Sequence, residues 1–62
     1  MDIEGLLEMD RRIQSIKKSV IELQNRGQEI EAVKRNSARI LASIRMIELN
    51  VSDLIPILGE SS

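Results

Sequence analysis

The sequence predicts an all-α protein, a hairpin of two long antiparallel helices that associates as an antiparallel four-helix bundle or coiled coil. Two runs of aliphatic residues recur at alternating steps of three and four, the spacing that places side chains in one stripe along a helix. Residues 24–29 contain no apolar side chain, and the second stripe begins after them in a different phase. A turn near residues 25–28 explains both the gap and the change of phase.

The first helix is expected at about residues 3–24. Asp2 favours a helix start, because its side chain can accept hydrogen bonds from the free N–H groups of the first turn. Glu8 precedes Arg12 by four residues, a spacing at which the two side chains attract each other on a helix. The apolar stripe then runs without interruption: Leu6, Met9, Ile13, Ile16, Val20 and Leu23.

The gap itself offers two ways of making a turn. Asn25 and Gln28 have the spacing of a capping box that would start a second helix, whereas Gly27 could close the first helix in the left-handed conformation. One continuous coiled-coil helix of roughly 90 Å, with a local stammer at the gap, is the main alternative. A turn at residues 36–37 is another, although it leaves Gly27 inside a helix at a cost of about 1 kcal/mol. The hairpin is preferred because it brings the two stripes together.

The second helix is expected at about residues 28–55. Folding at the gap would place its stripe against the first, with Leu23 beside Ile30 and Leu6 beside Ile47. Pro56 predicts the end of the helix, because the residue before a proline is pushed out of the α region. Residues 1–58 then form a single domain and residues 59–62 a polar tail. The second stripe comprises Ile30, Val33, Ser37, Ile40, Ile44, Ile47, Val51, Leu54 and Leu58.

Composition indicates that the chain needs a partner. A chain of 62 residues buries a small core of its own, and small domains usually add disulfides, metals or oligomerisation. Cysteine and histidine are absent, which removes disulfides and the usual zinc ligands, so no metal or cofactor is expected. No catalytic motif is present either, and we do not expect an enzyme. Oligomerisation is therefore the remaining way for this chain to gain stability.

A second apolar face on helix two is the first candidate interface. Ala42, Met46 and Leu49 lie opposite the stripe that meets helix one, and a helix that is apolar on two faces must be covered on both. A second copy of the chain is the favoured cover, as a homodimer or a tetramer, and a different protein is the alternative. Small association modules such as scaffolds, adaptors and regulatory subunits have this character.

The apolar segment near the C-terminus is the second candidate interface. In the predicted pairing it would overhang helix one, and an exposed aliphatic patch usually marks an interaction site. A lid folded across the open end of the bundle is slightly preferred, and a docking segment for a partner is the alternative. The residues concerned are Leu54, Ile55, Ile57 and Leu58.

Charge is distributed unevenly along the chain. Residues 1–10 and 46–62 carry seven acids and no base, whereas residues 11–45 carry all nine bases and three acids. A hairpin places both acidic segments together and the basic turn at the other end. Two hairpins packed antiparallel would therefore set unlike charges side by side.

Nucleic-acid binding is the competing function. A basic helical face could contact phosphates, although the chain has no aromatic residue to stack on bases and a net charge of only −1. In length and predicted architecture the chain resembles the Rop-type plasmid regulators, antiparallel dimers of helical hairpins that bind RNA loops. This resemblance is one of architecture and rests on no motif. The candidate phosphate contacts are Arg11, Arg12, Lys17, Lys18, Lys34, Arg35 and Arg39.

Location is indicated only weakly. Acidic residues occupy the positions where a secretory signal would carry basic ones, and charged residues interrupt the most apolar window, residues 40–58. A cytoplasmic protein without membrane insertion is expected.

Overall fold

The protein is a hairpin of two α-helices. The computed structural model describes residues 1–61, with side chains as far as Leu58. Helix α1 spans Ile3–Arg26 and helix α2 spans Glu31–Ser61, and the two pack against each other. The longest dimension of the molecule is 48 Å. A continuous helix would be about twice as long, so the predicted hairpin is confirmed and the continuous alternative is wrong.

The first turn of α1 is capped as the sequence predicts. The Asp2 carboxylate accepts a hydrogen bond of 2.8 Å from the backbone N–H of Gly5. Glu4 lies in the same turn, where a negative charge complements the helix dipole. The start of α1 is therefore determined by local sequence.

The turn lies about two residues later than predicted. The Gly27 N–H still donates to the Leu23 carbonyl at 2.9 Å, and the Ile30 N–H donates to the Gly27 carbonyl at 3.0 Å. Asn25 belongs to the last turn of α1, so it does not cap α2 and the predicted capping box is wrong. Gly27 has a φ of −96°, so left-handed closure of α1 is wrong as well. The helical ladder continues through residue 26 because nothing in residues 24–26 prevents it.

Gly27 is required by close packing rather than by backbone conformation. It is buried at the turn, seven residues after the buried Val20. A Cβ built on Gly27 would overlap the Cγ1 methyl of Val33 and approach the Leu23 carbonyl oxygen to 3.1 Å. The missing side chain lets the start of α2 pack directly on the end of α1.

Buried residues recur every seventh position on both helices. They are Leu6, Ile13 and Val20 on α1 with Ser37, Ile44 and Val51 on α2.

The contacts between the helices show that the predicted register is wrong. Pairing Leu6 with Ile47 would place Gln14 level with Arg39, nine residues from Glu48. The Gln14 amide instead donates a hydrogen bond to the Glu48 carboxylate, and the Lys17 ammonium lies beside the same group. The later turn accounts for part of this displacement, because moving the turn by two residues along the chain moves the partner of each α1 residue by four.

Helix α2 does not end near Pro56. It continues to Ser61, so the predicted helix end at residue 55 is wrong. Residues 59–61 of the predicted polar tail belong to the helix, while Ser62 lies outside the described residues. Proline removes one helical hydrogen bond, here the one to the Ser52 carbonyl. Ser52 is exposed, so water can bond to that carbonyl. Ile55 and Leu58 pack against the core, and this burial favours continuing the helix.

Candidate protein interaction surface

One side of the hairpin carries an ion pair between the helices. The Lys17 ammonium lies 3.2 Å from the Glu48 carboxylate, which also accepts a hydrogen bond of 2.8 Å from the Gln14 amide. Glu48 flanks the apolar stripe of α2, and its contacts are those of an interhelical ion-pair partner. A shallow groove surrounds the pair and is also lined by Arg45. We refer to this side of the hairpin as the polar side.

These contacts lower the pKa of Glu48. The hydrogen bond from Gln14 contributes most, followed by the bond from Lys17, while partial desolvation opposes them. A carboxyl group whose folded-state pKa is lowered contributes stability above its unfolded pKa and loses it as the pH falls through the folded pKa. The contribution of Glu48 is therefore full at neutral pH and disappears in acid.

Glu48→Gln should lower the melting temperature at neutral pH, and the difference from the native protein should shrink in acid. Circular dichroism melts across the pH range measure this. Glu29→Gln, at an exposed position of the turn, is the control and should show a smaller dependence on pH. A difference for Glu48→Gln that is the same at neutral and acid pH would show that the charge contributes nothing.

The ion pair also fixes which residues share each side of the hairpin. Lys17 and Glu48 each lie four residues after a buried residue, Ile13 and Ile44 respectively. At 3.6 residues per turn, a step of four rotates about 40° one way around the helix and a step of three rotates about 60° the other way. Because the two +4 positions meet across the hairpin, the +3 positions of both helices share the opposite side.

That opposite side is apolar along most of its length. Three positions after each of the six buried residues of the helices lies a large apolar residue, and the exposed fractions of these residues range from 40% for Met9 to 55% for Ile16. We call this set the apolar face. It comprises Met9, Ile16 and Leu23 on α1 with Ile40, Ile47 and Leu54 on α2.

Uncharged polar residues border the apolar face on α2. Asn36, Ser43 and Asn50 are exposed, and each directly precedes a buried residue of the helix. A step of one residue rotates about 100°, so these side chains point out on the same side as the apolar face. No charge interrupts this strip, and it could be covered without burying an ion.

The sequence predicts that five of these six residues make the contact within the hairpin, whereas it places Leu54 in the candidate interface near the C-terminus. A stripe with alternating steps of three and four consists of two columns, and the residues of each column repeat every seven positions. A single neighbouring helix covers only one of the two columns well. Both columns have the same spacing, so the spacing does not show which of them is the core. The signal that could have distinguished the columns is the neighbouring residue. Asn36 and Asn50 flank one column, whereas Lys17 and Glu48 flank the other.

The predicted second apolar face of α2 is on a different side of this helix from the apolar face. Ala42, Met46 and Leu49 are each two residues from a buried position of α2, a rotation of about 200° that turns them away from α1. All three are exposed, Met46 by 62%. We call them the outer surface. It is opposite the hairpin seam as predicted, but it carries half as many residues as the apolar face.

The segment 54–58 is divided by the helix rather than exposed as a whole. Ile55 and Leu58 are half-buried against the core beside Ile3, whereas Leu54 and Ile57 are exposed. The segment continues α2, so the hypothesis of a lid folded across the end of the bundle is wrong. Leu54 extends the apolar face towards the end opposite the turn, which we call the open end.

The candidate phosphate contacts do not form one patch. Arg11 and Lys18 lie two residues before buried positions of α1 and point away from α2, whereas Arg35 and Arg39 flank Ser37 and point away from α1. These pairs are on opposite outer sides of the hairpin. Lys34 lies three residues before Ser37, on the polar side.

Two of the remaining candidate cations pair with acids of the same chain. Arg12 forms a hydrogen-bonded ion pair of 3.1 Å with Glu8, which is also 3.4 Å from Arg11. Lys17 is held by Glu48. Among the described residues, three of the seven candidate cations thus lie beside Glu8 or Glu48, and the seven are spread over several sides of the hairpin.

Among residues 1–58, whose side chains the structure describes, no group of acidic side chains could hold a metal ion. Within the same residues neither helix combines the length and apolarity needed to cross a bilayer. Comparison of the chain with protein families, curated proteins and solved structures finds no match. The apolar face is thus the feature of the hairpin from which a function can be argued.

Proposed function

We propose that this chain is a protein–protein association module, a small scaffold, adaptor or regulatory subunit whose working form is a homo-oligomeric helical bundle. The observation that supports the proposal is the apolar face, with six large aliphatic side chains about half exposed on one side of a two-helix hairpin. Contiguous apolar patches of this kind usually mark interaction sites. Two helices leave the stripe half covered, and a four-helix bundle covers it fully.

The expected gain is of the size that association requires. Completing the burial of a half-exposed aliphatic side chain contributes about 1 kcal/mol. Twelve such side chains in a dimer would offset an association cost of about 4–15 kcal/mol. Stability of the hairpin is then linked to protein concentration.

The outer surface would stay uncovered in such a bundle. Met46 and Leu49 would point away from the bundle axis and remain available to another protein. In this proposal the apolar face mediates self-association, and the outer surface binds a different protein.

Adjacent substitutions test which surface mediates self-association. Ile47→Glu places a charge on the apolar face, and Met46→Glu places the same charge on the outer surface, one residue away. We expect the native chain and Met46→Glu to have a solution mass at least twice the 7.0 kDa of one chain. Ile47→Glu should have the mass of a monomer. Sedimentation equilibrium measures the mass at matched concentrations, and circular dichroism checks that the variants remain helical.

Each other result has a definite meaning. If Met46→Glu dissociates the oligomer and Ile47→Glu does not, the self-association surface is the outer one. A native chain that stays monomeric at every concentration refutes self-association altogether. If glutamate at position 47 unfolds the hairpin, Ile47→Gln gives the same comparison with a smaller perturbation.

A further inference from the structure

We infer that the apolar face is covered by a second copy of this chain lying antiparallel to the first, with α1 against α1 and α2 against α2. This inference rests on the proposed self-association and adds the orientation of the two copies. It identifies the occupant of the face from charge, symmetry and the position of the apolar columns.

Symmetry leaves two arrangements for a dimer of hairpins joined by their apolar faces. A two-fold axis parallel to the helices sets the two open ends together and places α1 of one copy over α2 of the other. A two-fold axis perpendicular to the helices sets each open end over the turn of the other copy. In this second arrangement each helix meets its own counterpart.

Charge favours the second arrangement. The open end contains residues 1–10 and 46–61, and the full sequence has seven acids and no base in residues 1–10 and 46–62. The rest of the hairpin, residues 11–45, carries nine bases and three acids. Two open ends placed together would bring like charges into proximity, whereas the antiparallel arrangement sets acidic ends beside basic segments. Screening limits such effects to about 8 Å at physiological salt, so charge selects the orientation while the apolar contact supplies the affinity.

The apolar columns fix the position of the two-fold axis. Together with half-buried Val33, the column on α2 runs to Leu54 and has its midpoint next to Ser43. The column on α1 has its midpoint at Ile16, which lies within about one helical turn of the level of Ser43. Antiparallel copies bury the most apolar surface when these midpoints coincide. Ser43 would then lie close to the Ser43 of the second copy.

Cysteine crosslinking tests this arrangement directly, because the native chain has no cysteine. Ser43→Cys places a thiol near the expected axis. Asn36→Cys and Asn50→Cys place thiols seven residues to either side in the same exposed column. A disulfide requires Cα atoms within about 7 Å, whereas seven residues of helix correspond to about 10 Å. Each variant is oxidised under mild conditions at a concentration where the native chain is oligomeric, and covalent dimers are measured by non-reducing gel electrophoresis.

We expect Ser43→Cys to form covalent dimers in high yield, and Asn36→Cys or Asn50→Cys alone to form few. An equimolar mixture of Asn36→Cys and Asn50→Cys should form the mixed dimer, because these positions face each other across the axis. Equal crosslinking by all three single variants would overturn the inference, and so would an oligomer in which neither Ser43→Cys nor the mixture crosslinks. The solution mass of the unoxidised proteins separates these failures from failure of the proposed function, since a wrong orientation leaves the mass unchanged and absent self-association leaves monomers.

Discussion

Leu6→Ala should destabilise the hairpin by about 2–5 kcal/mol, the cost of truncating a fully buried leucine. Leu6 is 1% exposed and begins the core at the open end. The core of a chain shorter than about 70 residues rarely supplies more than about 3–5 kcal/mol of stability, so this variant should be largely unfolded at moderate temperature. Urea denaturation followed by circular dichroism measures the change, at one protein concentration for all variants because association contributes to stability.

Leu7→Ala is the matched control, because it makes the same chemical change one residue along the same helix. Leu7 is 42% exposed, and a surface substitution usually changes stability by no more than about 0.5 kcal/mol. Similar losses for the two variants would mean that α1 is rotated about its axis from the orientation described here.

Gly27→Ala should also destabilise the hairpin, although alanine is the better helix former. A Cβ at this position overlaps Val33, and overpacking of this kind typically costs about 1–3 kcal/mol. Alanine also restricts the unfolded chain, which stabilises the folded state by about 0.4–1 kcal/mol. This gain is smaller than the cost of overpacking, so the free energy of unfolding should fall. Valine is stiff at χ1 and cannot easily turn its methyl groups away.

The double variant Gly27→Ala with Val33→Ala isolates the cause. Removing the Val33 methyl groups removes the overlap but leaves the new Cβ 3.1 Å from the Leu23 carbonyl oxygen and 3.2 Å from the Cβ of residue 33. Gly27→Ala should therefore cost clearly less in the Val33→Ala background than in the native one. Urea denaturation of all four proteins closes the cycle. A stabilising effect of Gly27→Ala in the native background would contradict the close approach at the turn.

Local sequence patterns were sufficient to predict the fold class and several of its details. The alternating stripes predict two helices, the apolar gap predicts a turn between them, and Asp2 predicts the first cap. These features depend on residues that are neighbours along the chain. Glu48 could also be predicted as an interhelical ion-pair partner, since it flanks the apolar stripe of α2.

Register could not be predicted in the same way. Both columns of a stripe are aliphatic, so the spacing does not show which column packs within the hairpin. Small displacements of the turn also change the partner of every residue. The apolar face was missed for this reason, because Ile16 and Ile47 were assigned to a contact that buries Ile13 and Ile44 instead.

The end of α2 illustrates tertiary packing overriding a local rule. Proline disfavours helix for the residue before it, yet Ile55 lies within α2 and packs against the core. Ile55 and Leu58 are half-buried only because α1 lies beside them. The residues of α1 are distant along the chain, so the local sequence around Pro56 does not reveal the stabilisation that this burial provides.

The small residues near the turn should give the hairpin the form of a wedge. The buried residues nearest the turn are small, namely Val20, Ser37 and Gly27, which has no side chain. The buried residues farther from the turn are larger on average: Leu6, Ile13, Ile44 and Val51. The distance between packed helices follows from the side chains between them, so the helix axes should converge towards the turn. In the antiparallel arrangement the narrow end of one copy lies over the wide end of the other, so each helix crosses its counterpart at an angle. With the two open ends together, the stacked helices would run parallel to each other without crossing.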